Sequence, residues 1–199
     1  MKTLNMLLAL SVLLLVGTAF ADTDNDPDGM GVYFDTAATS ICTVTAAPFQ
    51  LVTAYLIITN PSDPAGVSGW EANVMSTGAA VAPAWVLAAG LDVDGDPSKF
   101  QVGIGVAPMA LPAAPAVVLA TWQGYMMSPL DVQEFTITDV PGSVSFDGTP
   151  GYASGSDAGL LIPLQVSSGF PYTVCAQINA CTVVSNEDLS WGQVKGLFQ

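Results

Sequence analysis

From residue 31 onward the chain is written in short apolar runs of period two, cut by clusters of Gly, Pro, Asp and Ser. Alternation sends successive side chains to opposite faces, the pattern of a strand with one buried side. Leu51 to Asn60 is the clearest run, with Val52, Ala54, Leu56 and Ile58 facing one way and Thr53, Tyr55 and Thr59 the other. The turn Asn60-Pro-Ser-Asp-Pro-Ala-Gly66 ends it. In Val67 to Ser76, Trp70, Ala72 and Val74 share a face opposite Glu71 and Asn73. In Ala116 to Met127, Val118, Ala120, Trp122 and Met126 oppose Thr121, Gln123 and Tyr125. Shorter runs fall at 31–35, 84–89, 100–106, 134–140, 144–146, 160–166 and 172–180. Nine or ten such runs, with no long helical period, predict an all-β fold. The expected architecture is an antiparallel β-sandwich of about nine strands, immunoglobulin-like or cohesin-like, with Trp70 and Trp122 in its core.

The two ends of the chain depart from this pattern. Residues 1–21 read as a secretory signal peptide: Lys2 is the positive start, Met6 to Val16 the apolar stretch and Ala19-Phe20-Ala21 the cleavage site. The apolar run is too short to span a membrane comfortably, and an acidic segment follows it at once. The expectation is therefore an acidic segment over 22–30, a single sandwich domain over 31–199, and a secreted or periplasmic protein with no transmembrane anchor after cleavage. At the far end, Ser190-Trp191-Gly192-Gln193 has the form of a capping box, so a short helix, a last strand or a terminal hook could follow. In each case Trp191 and Leu197 read as side chains that plug the core.

Composition then removes whole classes of chemistry. Three Lys, no Arg, no His and seventeen acids give a net charge of −14, or −15 once Lys2 leaves with the leader. Without His there is no Ser-His-Asp triad and no imidazole metal site. Three Lys cannot neutralise a row of phosphates, which excludes nucleic acid as a partner. Cys42, Cys175 and Cys181 suit an oxidising compartment and leave one thiol over if a bridge forms. The favoured pairing joins Cys42 to one of the other two and closes a long loop. Three thiols without a C-x-x-C spacing or any His are a poor zinc site.

Few residues remain as site candidates. Asp24, Asp26, Asp28 and Asp35 fall at positions 1, 3, 5 and 12 of a calcium loop with Gly29 at position 6, so structural calcium is the one cofactor considered. The loop departs from the motif in ending on Asp and in lacking room for an entering helix. Asp92-Val-Asp94-Gly95-Asp96 has a similar acid spacing but reads better as a turn. A glycan hydrolase would need two facing carboxyls, and Glu71 and Glu134 sit on polar strand faces where solvation is expected. Tyr55 and Tyr125, both facing outward, could form an aromatic platform for sugar rings.

Val67-Ser-Gly69-Trp70-Glu-Ala-Asn-Val74, Val118-Leu-Ala-Thr-Trp122 and Gly155-Ser-Asp157-Ala-Gly159 are spaced as in cohesin-like and carbohydrate-binding β-sandwich modules of exported bacterial proteins, which the chain resembles over 51–166. Gly31–Asp35 and the Ser190–Phe198 tail also resemble secreted proteins of environmental bacteria that carry no assigned activity. These resemblances imply an exported β-sandwich and no particular ligand. The resulting expectation is a non-enzymatic structural or protein-interaction module that meets other surface proteins or glycans. A carbohydrate-binding module is the alternative and a glycan-active hydrolase the weakest reading.

Overall fold

The structure, a computed structural model, describes residues 26–146 and 148–181. These residues form strands joined by turns, with no helix among them. The strands are β1 (Gly29–Tyr33), β2 (Cys42–Thr43), β3 (Gln50–Thr59), β4 (Val67–Gly78), β5 (Val81–Leu87), β6 (Leu91–Asp92), β7 (Lys99–Gly103), β8 (Ala116–Met126), β9 (Gln133–Thr138), β10 (Gly151–Ser154), β11 (Leu161–Pro163), β12 (Gln165–Val166) and β13 (Val174–Ile178). Three of the thirteen have only two residues, so the count of longer strands is close to that read from the sequence.

They pack as two sheets, the expected sandwich. The first has the order β12-β1-β3-β8-β5 and the second follows β11-β10-β4-β9-β13-β2. Strand β4 is the spine of the second sheet. Its early residues pair with β10 and its later ones with β9 along one flank, while β7, backed by β6, runs along the other. Two pairings, β1 with β12 and β13 with β2, are parallel, so the sandwich is mixed and not purely antiparallel.

The inward faces are the ones that the alternation selects. Val52, Ala54, Leu56 and Ile58 of β3 meet Trp70, Ala72 and Val74 of β4 in one core, where Trp122 stands edge-on to Phe135 at 5.0 Å between ring centroids. One side chain is misassigned by simple alternation. A bulge in β8 pairs Leu56 with Ala120 and Ile57 with Val118, and turns Leu119 inward as an extra residue. Val118 is thereby turned out, against the smaller cluster of Tyr33, Ala38, Ile41 and Ile57 on the outer face.

Two other segments also differ. Residues 144–146 are a bent loop with no strand pairing, and 160–166 divides into β11 of the second sheet and β12 of the first, crossing between them at Leu164. The first strand starts at Gly29, two residues ahead of the expected domain boundary.

Candidate functional site

A groove lies on the outer face of the second sheet, and its shape follows from missing side chains. Gly69 of β4 is flanked by Gly103 of β7 on one side and Ala153 of β10 on the other, so the sheet carries nothing longer than a methyl there. Two residues along, Glu71 sits between Gln101 and Gly151. Val93 and Leu161 form opposite rims, Ser145 and Phe146 close one end, and the open groove has a volume of about 340 Å³. A Cβ on Gly69 would come within 2.8 Å of the Val102 carbonyl oxygen, while one on Gly103 would enter open space. The Phe146 ring occupies the place a side chain on Gly151 would take.

Glu71 is the chemical centre of this groove. It is 6% exposed, and its Oε1 accepts a hydrogen bond of 2.6 Å from the Ser143 hydroxyl. The same hydroxyl accepts from the Ser145 amide at 3.1 Å, which fixes the 143–146 loop above the carboxylate. The expectation that Glu71 is solvated is therefore corrected: it is on the polar face, but the loop covers it. The lining holds one carboxylate, one amide (Gln101) and no cation among the described residues. The signal in the sequence was the pair of strand glycines, Gly69 and Gly103, since a glycine inside a strand often marks a close approach.

Of the four calcium candidates, the described Asp28 and Asp35 are not brought together. Asp24 lies outside the described residues, and Asp26 is exposed ahead of the first strand. Asp28 and Asp35 stand at opposite ends of β1, roughly 20 Å apart at the rise of an extended strand. Each has found protein donors. Asp28 Oδ1 accepts from the Ser62 amide at 2.7 Å and the Tyr152 hydroxyl at 2.8 Å. Asp35 Oδ1 accepts from the Ala37 and Thr39 amides, and its Oδ2 accepts from the Thr39 hydroxyl. An extended strand between them keeps Asp28 and Asp35 from sharing one ion. No cluster of three or more potential metal ligands occurs among the described residues.

The tyrosine platform is likewise divided. Tyr125 pairs with Leu51, four residues from Tyr55 along β3, so the two rings share the outer face of the first sheet roughly 13 Å apart. Tyr55 is half-buried on the Tyr33 cluster, whereas Tyr125 is exposed. Residues 92–99 form the expected turn. Asp94 Oδ1 accepts from the Asp96 amide, Asp96 Oδ1 from the Ser98 amide and hydroxyl, and Lys99 pairs with Asp96 at 2.8 Å. The Lys99 ammonium and the Ser98 donors hold the Asp96 carboxyl well below the usual range. Glu134 Oε1 accepts from the Gln177 side-chain amide at 2.8 Å.

Cys42 and Cys181 form a disulfide across 139 residues, the long closure expected, with Cys181 as the partner. Cys175 remains a free thiol in the core, where burial pushes its pKa up to about 12. It is an inert structural cysteine. The bridge is the chemistry of an oxidising compartment, and no described helix is long and apolar enough to cross a membrane.

Set beside family models, curated proteins and solved structures, the chain matches none of them.

Proposed function

We propose that this chain is an exported, non-catalytic binding module that takes a neutral, hydroxyl-rich ring, a saccharide, in the groove above Glu71. The observation that carries the reading is a covered carboxylate beside a strip of sheet made bare by Gly69, Gly103 and Ala153. A flat ring can lie against bare backbone there, its hydroxyls donating to Glu71 and exchanging hydrogen bonds with Gln101. Val93, Leu161 and Phe146 supply an apolar rim for its C–H face. A net charge of −14 and a lining without cations disfavour anionic ligands. Glu71 alone provides no acid–base pair for hydrolysis, which supports binding over turnover. The leader at 1–21 and the disulfide support export. Of the two module classes that the sequence resembles, the groove favours the carbohydrate-binding one.

The test is a glycan array followed by calorimetry on the best saccharide. Glu71→Gln is expected to weaken binding on the order of tenfold, by exchanging a charge-assisted hydrogen bond for a neutral one. Gly103→Val is expected to abolish binding while the domain stays folded, because its side chain projects into open space. An array blank at millimolar protein, or unchanged affinity in Gly103→Val, would sink the reading.

A further inference from the structure

Among the described acids, Glu71 alone is buried. The more accessible carboxylates are the better partnered ones. Asp28, Asp35, Asp63 and Asp96 each accept at least two hydrogen bonds from described residues. Glu71 accepts one, from the neutral Ser143 hydroxyl. Lys99 is the one cation among the described residues; it stands in register with Asn73, two residues along β4, and Asp96 holds its ammonium at 2.8 Å. Glu71 therefore has no ion pair with a described residue.

A carboxylate taken out of water needs a positive partner or several donors, because its surroundings no longer solvate the charge. The groove is the open side from which such a partner can reach Glu71, and the rest of its lining is neutral. Folding has already removed most of the water from this carboxylate, so an entering cation gives up only its own hydration. The net charge of −14 also draws small cations toward the surface.

We propose that the groove prefers an amino sugar, a hydroxyl-rich ring with a primary ammonium in place of a hydroxyl, and that Glu71 pairs with this ammonium. The inference rests on the saccharide reading of the groove and sharpens it. The neutral ring fits the strip bared by Gly69, Gly103 and Ala153, and the ammonium sets the preference among such rings. Gln101, in register beside Glu71, exchanges hydrogen bonds with a neighbouring hydroxyl.

The test is calorimetry on the full chain with two named sugars, the β-1,4-linked glucosamine disaccharide and cellobiose, which has hydroxyls where the first has amines. Slightly acidic buffer keeps the amines protonated, and physiological salt screens long-range attraction. The glucosamine disaccharide should bind about tenfold more tightly, the gain of a charge-assisted over a neutral hydrogen bond. In Glu71→Gln, which keeps the side-chain length and an acceptor for Ser143, the affinity ratio should fall to about one. Glu134→Gln removes the same charge outside the groove and should leave the ratio unchanged. Equal affinities in the parent chain overturn the amine preference and leave the saccharide reading standing. A ratio that survives Glu71→Gln, or falls equally in Glu134→Gln, assigns the effect to net charge and also overturns it. So does failure of the glucosamine disaccharide to bind, whereas the saccharide reading falls only on the glycan array or on Gly103→Val.

Discussion

The two ends of the sandwich close their strands with opposite chemistry. At the end where β3 finishes and β4 begins, polar groups satisfy one another. The Tyr152 hydroxyl donates to Asp28 and accepts from the Asp63 amide at 3.2 Å, while Asp63 accepts from Ala65 at 2.9 Å and Gly155 at 3.1 Å. Gly66 completes the turn at φ 87°, so close to the Leu111 carbonyl that no side chain fits. At the other end, a disulfide and Asn179 secure the strand ends, and the surface around them is apolar. The first end is complete within the described residues. The second is fastened by covalent and side-chain contacts, with exposed apolar residues such as Leu51, Val81 and Leu130 around them.

Breaking the fastened end should cost most. Cys42→Ser with Cys181→Ser removes a closure of 139 residues, and denaturant unfolding should report a loss of about 2–4 kcal/mol. A loss as small as that of an ordinary surface change would mean that hydrogen bonds alone hold this end.

At the polar end, Tyr152→Phe keeps the buried ring and deletes only the hydroxyl. Asp28 and the Asp63 amide each lose a partner, and the expected loss is about 1–3 kcal/mol in the same measurement.

The pH profile distinguishes the ends further. Hydrogen bonding, first from the Ser154 hydroxyl and then from the Ala65 amide, holds the Asp63 carboxyl below its ordinary 3.8 in the folded state. Its stabilising contribution is therefore present above that value and lost as the pH falls through the lower folded one. Melting curves of Asp63→Asn and the parent chain should converge as the pH drops below about 4, and separate at neutrality. Parallel curves throughout would remove Asp63 from the network. Lys99→Met, on the exposed β6–β7 turn, is the smallest change, a slight lowering of the melting midpoint that shrinks with added salt.

Alternation alone identified the sandwich, the four inward residues of β3 and the core roles of Trp70 and Trp122. It failed where one residue breaks the period. The extra residue Leu119 reverses the facing of Val118, and Leu164 moves the chain from one sheet to the other inside what reads as a single run. The site was less legible. Glu71 has the parity of any solvated strand residue, and its burial comes from the 143–146 loop, seventy residues away in the chain. The calcium spacing was present, yet Gly29–Tyr33 prefers to pair with β3, and an extended strand holds its flanking carboxylates apart.

The parallel pairings also set an order of events. β1, the first strand of the described chain, completes its outer edge only with β12, and β2 pairs only with β13 before Cys42 meets Cys181. Each of these joins an early segment to one that emerges from the ribosome more than a hundred residues later. Neither sheet can close while the last third of the chain is missing, and such long-range contacts form slowly. Completion of both sheets therefore waits until β12 and β13 have been made.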